Sequence, residues 1–377
     1  MSPGERAEAG TKATRGKLAA MWAVLALLPI LVLVLLAIGY YTVAKLTYPA
    51  YSCGSFAQLD GELGWVLKPS AASCLGHRGV FAAQPYFEAP VYTDQNGFRA
   101  ARAGGVTPTG GIVVVGSSFE FGYGVSYERS YPGVLERLTG TPVVIAASPA
   151  YSAAQALLLM QRWNERLRPK ALVYQEMGQW LRNSCTGTAR PTAILKPCFW
   201  RPPGGAQAEL VVPPPGRVAR WGRWGVVAGG MIGAGEVTWS YFLISRPVLQ
   251  VVHLLTRLGV ISGFVSDFVT VGADEDVIRA AVVGELGRLA EAANVPLIFV
   301  DPSDFLPQHL VDALPAAQRA LIHRIGRARF DAEVTRPAAS LPLAERELPH
   351  DPHFAPGVNR LVGELLDREL RARGIVK

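Results

Sequence analysis

Three residues of this chain have types and positions suited to nucleophilic catalysis. Ser118 follows the apolar run 112–115 and a glycine at position 116, so we expect it on a turn directly after a buried strand. Asp351 and His353 lie two residues apart on a predicted loop near the end of the sequence. A serine hydroxyl becomes a nucleophile when a histidine accepts its proton and an acid orients that histidine. We therefore predict Ser118 as nucleophile, His353 as general base and Asp351 as the orienting acid.

Alternating strands and helices would bring these distant residues together. The sequence predicts strands at 112–116, 143–147, 171–176 and 296–301, and helices at 130–138, 153–167, 274–293, 315–330 and 357–373. Strands separated by helices indicate a parallel sheet that helices cover on both faces. The predicted fold class is α/β, a flavodoxin-like three-layer α/β/α arrangement with a mainly parallel sheet. Ligands of such sheets bind at the carboxyl ends of the strands, where Ser118 is expected.

The rest of the chain divides into a lead-in segment and an insertion. Residues 45–105 are rich in Gly, Pro, Ser and aromatic residues, and we predict that they pack on the main domain, 106–377. That domain carries an insertion at about 182–273, which includes a Gly-rich apolar stretch at 224–244. We predict this stretch as a helical insertion that touches the membrane surface or caps the site. A second membrane crossing there would separate Ser118 from the C-terminal residues.

The N-terminal region predicts a membrane anchor. Residues 18–44 contain no charged side chain and exceed the roughly 20 residues that cross a bilayer. Basic residues within 1–17 place this tail in the cytoplasm by the positive-inside rule. The alternative is a cleavable signal peptide, which the long apolar run and the lack of a clear A-x-A site disfavour. We predict a single-pass protein of the inner (cytoplasmic) membrane, with its main domain in the periplasm.

All four cysteines follow the predicted anchor. Cys53 and Cys74 lie close in sequence, as do Cys185 and Cys198. In an oxidising compartment, the pairs Cys53–Cys74 and Cys185–Cys198 are the natural choice among three possible connectivities. No C-x-x-C spacing occurs, which disfavours a zinc site. The predicted chemistry requires no cofactor.

The charge of the chain is basic, with a formal net charge of +7 and a pI of about 9.3. The basic residues are scattered along the sequence, and no nucleic-acid recognition motif is present. This pattern favours a basic envelope protein and argues against nucleic acid as a partner.

Four short sequence blocks lie around the predicted site residues: G-S-S-F-E-F-G at 116–122, P-A-Y-S at 149–152, G-Q-W at 178–180 and D-P-H-F-A-P-G at 351–357. These blocks resemble those of the SGNH (GDSL-like) hydrolases, particularly the membrane-anchored periplasmic members. That family commonly has G-D-S-x-x-x-G, a P-G-Y-G-like turn, G-N-D, and D-x-H or D-x-x-H followed by N-P-x-G. The resemblance covers about residues 60–373, apart from the insertion. It implies the SGNH hydrolase fold and acyl transfer from an ester to water or another acceptor.

The resemblance also implies which groups stabilise the oxyanion. By position they are the backbone N–H groups of Ser118 and Ala150 and the side chain of Gln179. Each block departs from the family pattern, since Ser117 replaces aspartate, Ala150 replaces glycine, Gln179 replaces asparagine and, in the last block, Ala355 replaces asparagine. The extra methylene of Gln179 matters most, because a displacement near 1 Å can lower a rate by about 10²-fold.

The resemblance implies an esterase or acyltransferase acting on O-acyl, chiefly O-acetyl, esters of cell-envelope polysaccharide. Two alternatives stay open. One is a catalytically weak SGNH scaffold that binds glycan or an envelope-assembly partner, which Gln179 favours. The other is a membrane-proximal lipid esterase, which the apolar insertion favours. Asp351 and His353 favour an enzyme, because a binding scaffold does not need them. Expected partners are an acylated glycan, the membrane through the N-terminal helix, and polysaccharide assembly proteins.

Overall fold

The computed structural model describes most of the chain after residue 50. The described residues are 50–78, 84–149, 151–176, 197–200, 206–212, 226–227, 230–233, 236–239, 275–349 and 351–377, together with positions 22, 27–29, 31–32, 34–36 and 39. These last positions belong to the predicted anchor, and they are helical. Among the residues described, no helix combines the length and the apolar character needed to cross a membrane.

Short strands make up much of the described chain. In chain order they are β1 (Ala50–Ser52), β2 (Ala57–Asp60), β3 (Gly64–Leu67), β4 (Ala72–His77), β5 (Phe87–Thr93), β6 (Arg99–Ala100), β7 (Ile112–Gly116), β8 (Val143–Ala147), β9 (Ala171–Gln175), β10 (Cys198–Trp200), β11 (Glu209–Val211), β12 (Val226–Val227), β13 (Gly230–Gly233), β14 (Glu236–Trp239), β15 (Leu297–Asp301), β16 (Ile322–Gly326), β17 (Glu347–Leu348) and β18 (Asp351–Phe354).

The helices lie mainly between and after the strands of the central sheet. They are α1 (Ser118–Phe121), α2 (Tyr131–Thr139), α3 (Ala153–Leu167), α4 (Glu275–Ala293), α5 (Gln308–Asp312), α6 (Ala316–Leu321), α7 (Arg327–Phe330), α8 (Arg336–Ala339), α9 (Leu343–Arg346) and α10 (Pro356–Ala372), with a 3₁₀ turn at Tyr127–Arg129 and a π-helical turn at Asp331–Thr335. Serine caps begin two of them, since Ser130 accepts a hydrogen bond from the N–H of Gly133, and Ser152 from that of Gln155.

A nine-stranded sheet forms the centre of the fold, in the order β1-β4-β5-β6-β8-β7-β9-β15-β16. The five strands from β8 to β16 are parallel. Within this parallel part the chain order is 2-1-3-4-5, the flavodoxin-like order, whose topological switch point lies between β7 and β9. The mixed α/β fold with a mainly parallel sheet is therefore confirmed.

Helices cover both faces of the sheet because successive side chains of a strand point to opposite faces. In β7, Val113 and Val115 pack in one hydrophobic cluster with α3 and α4. Ile112 and Val114 pack in a second cluster with α2 and α10. Strands buried on both faces are expected to be continuous apolar runs, as β7 is.

The lead-in segment joins the same sheet. Strands β1, β4, β5 and β6 pair antiparallel with one another, and β6 pairs with β8. The predicted Cys53–Cys74 disulfide is present and connects the residue after β1 to β4. Cys198 is also disulfide-bonded, while its predicted partner Cys185 lies outside the described residues.

Two predicted helices are wrong. Within 315–330, the Ile322–Gly326 segment is a fifth parallel strand, and helices occupy only its flanks. The segment is a strand because it pairs with β15 and buries Ile325 in the core. These tertiary contacts stabilise the strand more than the local helical pattern favours a helix. Within 224–244, the described residues form β12, β13 and β14, and β14 pairs with β2.

Candidate active site

A tight turn after β7 presents Ser118. Strand β7 ends at Gly116, and α1 begins at Ser118 and ends at Gly122 in the left-handed conformation, with φ 72°. A Cβ on Gly116 would lie 2.3 Å from Cδ of Glu120, so only glycine fits beneath that carboxyl group. The N–H of Ser117 donates to Oε2 of Glu120 at 2.6 Å, which fixes the turn from below.

A buried guanidinium holds the far side of this turn. Arg99, on β6, donates from Nη1 to the carbonyl oxygens of Phe121 (2.5 Å) and Gly122 (2.6 Å), and from Nη2 to that of Val125 (2.5 Å). Its guanidinium carbon also lies 4.4 Å from the ring centroid of Phe121. Carbonyl groups at the end of a helix have no intrahelical partner, and Arg99 supplies one.

A second side chain holds the end of β18, the short strand that carries the predicted base. Asn359, on the first turn of α10, donates from Nδ2 to the carbonyl oxygens of Phe354 (2.7 Å) and Ala355 (3.2 Å). Its Oδ1 accepts a hydrogen bond from the N–H of Tyr131 at 2.9 Å. This amide therefore connects β18 and α10 to the start of α2.

The structure brings the three predicted catalytic residues together across 235 positions of sequence. Nε2 of His353 lies 2.7 Å from Oγ of Ser118, and Nδ1 of His353 lies 2.5 Å from Oδ1 of Asp351. The same Asp351 oxygen accepts the backbone N–H of His353 at 2.9 Å. All three side chains are buried, and Ser118 is 2% exposed. They lie at the carboxyl end of β7, beside the switch point.

The electrostatics of Asp351 suit an orienting acid. Burial alone would raise its pKa, but hydrogen bonds from His353 and the nearby charges of His353 and His77 lower the pKa below its usual value. Asp351 is therefore ionised at neutral pH. An ionised Asp351 accepts a hydrogen bond from Nδ1–H of His353, which keeps the proton on Nδ1 and leaves Nε2 free to accept the proton of Ser118.

Aromatic rings surround His353. The ring of Tyr123 stacks on it with centroids 4.4 Å apart, and that of Phe119 lies 4.7 Å away. The hydroxyl of Tyr123 lies 3.0 Å from Nε2 of His77, a buried residue at the end of β4. Together with Arg99, Asn359 and Glu120, His77 was not foreseen from sequence, since its partners are far away along the chain.

Two buried glutamates lie beneath the nucleophile turn, Glu120 in α1 and Glu176 directly after β9. Burial is the main cause that raises the pKa of Glu120 to about 8; hydrogen bonds at Ser117 act in the opposite direction, and the charge of Glu176 adds to the rise. Oε2 of Glu176 accepts the hydroxyl of Tyr174 at 3.0 Å. Glu120 is therefore a neutral acid at neutral pH and adds no negative charge beside Ser118.

Two predicted oxyanion donors, Ala150 and Gln179, lie outside the described residues. In the described part of the chain, Cys53, Cys74 and Glu88 form the one cluster with spacing suited to a metal ion. Because its two cysteines are joined in a disulfide, they offer no thiolate ligands.

Comparisons with known proteins give only distant similarities. No protein-family model matches the chain, and no curated protein matches it. Several solved structures are similar to it, including the following three. One is provisionally assigned to the lipolytic G-D-S-L family, from Desulfitobacterium hafniense, with 12% identity, a TM-score of 0.31 and coverage of 68% of this chain and 97% of that one.

The second, provisionally assigned as an SGNH hydrolase from Slackia heliotrinireducens, has 13% identity, a TM-score of 0.30 and coverage of 69% and 98%. The third is a carbohydrate esterase whose active site displays divergent catalytic and non-catalytic binding functions, with 11% identity, a TM-score of 0.35 and coverage of 87% and 88%. At these TM-scores the similarities carry no argument about function, which depends instead on the geometry of the site.

Proposed function

We propose that this protein is a serine esterase of the SGNH type, with Ser118 as nucleophile, His353 as general base and Asp351 as the acid that orients it. The observation that carries the proposal is the continuous hydrogen-bonded series from Oγ of Ser118 through His353 to Oδ1 of Asp351, at 2.7 and 2.5 Å. Such a buried series at the carboxyl end of a parallel sheet meets the geometric requirements for an activated serine.

The reaction follows from these contacts. His353 Nε2 takes the hydroxyl proton as Oγ of Ser118 bonds to the ester carbonyl carbon. The ester C–O bond then breaks, and His353 returns the proton to the leaving alkoxide oxygen. A water molecule or a sugar hydroxyl, deprotonated by the same nitrogen, attacks the acyl-serine, and the Oγ–carbon bond breaks as Ser118 regains its proton. Asp351 stabilises the imidazolium formed at each stage.

The tetrahedral intermediates need hydrogen-bond donors for their oxyanion. The N–H of Ser118 is the first in α1 and has no acceptor within that helix. We assign the other two donors to the N–H of Ala150 and the side-chain amide of Gln179. A preorganised donor of this kind is worth about 2.7–4 kcal/mol of transition-state stabilisation.

The proposed substrate class is O-acyl, chiefly O-acetyl, esters of cell-envelope polysaccharide, with water or another sugar hydroxyl as acceptor. It is supported by the sequence blocks and by the predicted export of the chain. The Cys53–Cys74 disulfide fits an oxidising compartment. In this proposal residues 18–44 anchor the protein in the inner membrane, and the domain that carries Ser118 lies in the periplasm near polysaccharide assembly proteins.

A second candidate function is an SGNH scaffold that binds glycan with little catalysis. Gln179 favours it, because its amide extends one methylene beyond that of the asparagine usual at this position. A Gln179→Asn variant separates the two functions. If Gln179 limits catalysis, the variant gains esterase activity, whereas in an efficient esterase the same change lowers or preserves the rate.

The test of the enzyme proposal is covalent labelling of the full-length protein with a fluorophosphonate probe. We expect the probe mass on the peptide that contains Ser118, and no labelling of Ser118→Ala or His353→Ala. Ser340→Ala is the matched control, because Ser340 lies exposed between α8 and α9. Unlabelled wild-type protein with an intact fold would refute the enzyme proposal. Acetate release from an O-acetylated polysaccharide then tests the substrate class.

A further inference from the structure

His77 lies next to the proposed catalytic residues although it belongs to the lead-in segment. It ends strand β4, is 7% exposed, and stacks its ring on Phe87 with centroids 4.8 Å apart. Its Nε2 lies 3.0 Å from the hydroxyl of Tyr123 and 3.6 Å from Oδ2 of Asp351. A buried imidazole thus lies beside one oxygen of the Asp351 carboxylate, while His353 contacts the other.

The two oxygens of Asp351 have separate neighbours. Oδ1 accepts both the N–H and the ring nitrogen Nδ1 of His353, at 2.9 and 2.5 Å. Oδ2 faces His77. A carboxylate held through one oxygen can rotate about its Cβ–Cγ bond, whereas contacts on both oxygens fix its plane. The direction of the Asp351–His353 hydrogen bond therefore depends on the side chain that contacts Oδ2.

We infer that His77 is a positioning residue, which fixes the plane of Asp351 and thereby the orientation of the base His353. Tyr123 connects the two histidines, because its ring stacks on His353 while its hydroxyl contacts His77. This inference rests on the esterase function proposed above. It gives the lead-in segment a part in the site, since β4 supplies a residue that the main domain lacks.

The first experiment records the imidazole NMR signals of the full-length protein, labelled with ¹⁵N-histidine, at one fixed pH. A His353→Gln variant assigns the His353 signals. We expect a downfield Nδ1–H proton signal of His353 in the wild type, because Nδ1 lies 2.5 Å from Oδ1 of Asp351. In His77→Leu this signal moves upfield or broadens, because Asp351 is no longer contacted at Oδ2. His323→Leu, the same substitution on β16, is the matched control and leaves the signal unchanged. An identical Nδ1–H signal in wild type and His77→Leu would overturn the inference.

The second experiment measures esterase kinetics. We expect His77→Leu to lower kcat roughly tenfold or more with KM nearly unchanged, as a misoriented base does. His77→Gln retains most of kcat, because its amide can still donate toward Asp351, and Tyr123→Phe gives a smaller loss. If kcat of folded His77→Leu equals that of the wild type, His77 is only structural and the inference fails. Wild-type protein without any activity refutes the esterase proposal, whereas the NMR comparison of the His353 Nδ1–H signal still decides the role of His77.

Discussion

Glu120 gives the sharpest pH-dependent prediction. The side chain is 1% exposed, and its Oε2 accepts the N–H of Ser117 at 2.6 Å. Its Oε1 has no hydrogen-bond partner among the described residues. Glu120→Gln keeps the volume and a carbonyl acceptor for Ser117 but removes the titrating proton. The substitution therefore isolates the effect of ionising a carboxyl group in this buried position.

The sign follows from the two pKa values. In the unfolded chain Glu120 loses its proton near pH 4.5, whereas burial raises the pKa of the folded form to about 8. Between these values the native state binds more protons than the unfolded state, so the free energy of unfolding falls as the pH rises. At 1.36 kcal/mol for each pH unit, this gap amounts to about 5 kcal/mol as an upper bound. Above about pH 8 the dependence ends.

The assay is urea unfolding of wild type and Glu120→Gln at several values between pH 5 and pH 8. We expect similar stability near pH 5 and a growing advantage of the variant toward pH 8, by several kcal/mol. Glu364→Gln is the control, because Glu364 lies on the solvent side of α10 beside Arg360 and its change should leave the pH dependence intact. Parallel curves for wild type and Glu120→Gln would show that Glu120 is already ionised at neutral pH and would refute the reasoning.

Three further predictions concern the site and its supports. Asp351→Asn lowers kcat about 10⁴-fold without unfolding the protein, because an amide favours the wrong tautomer of His353; ester hydrolysis measures it, and a loss below tenfold contradicts the role. Replacing both Cys53 and Cys74 by serine lowers the free energy of unfolding by about 3 kcal/mol, since their disulfide closes a loop with a sequence separation of 21; equal urea midpoints for the variant and the wild type contradict it. Arg99→Leu destabilises by roughly 3 kcal/mol or more, because several buried carbonyl groups lose a charged donor; a change below 1 kcal/mol in urea unfolding contradicts it.

The parallel core could be predicted because its signals are local. Strands β7 and β8 are continuous runs of apolar, largely β-branched residues, which the structure buries on both faces. The start of helix α3 could be predicted from the sequence, because it is marked by Ser152 and Gln155, which form a capping box in the structure. The contact between Ser118 and His353 could be anticipated from the topology. Ser118 follows a strand at the carboxyl edge of the predicted sheet, and His353 lies just before the last predicted helix.

Features that depend on distant contacts and carry no sequence motif of their own could not be predicted. The segment 322–326 carries His323 and Arg324 among its apolar residues, so its pattern does not distinguish a helix from an edge strand. The segment forms a strand because it pairs with β15, a contact that the sequence pattern does not reveal. His77 and Arg99 likewise lie on short strands of the lead-in, and only the antiparallel additions to the sheet bring them beside Tyr123 and Phe121.

The separation of Ser118 and His353 along the chain has a consequence for biosynthesis. The nucleophile and its base are 235 residues apart, and the end of the strand that carries the base is held by Asn359 on the last helix. A growing chain that has already formed β7 therefore lacks a base until α10 has been synthesised and has packed on α2. Contacts of such long range carry a loop-closure entropy cost, which slows folding. A nascent or clipped chain thus carries an inert serine, and reactivity of Ser118 reports that the whole domain has been completed.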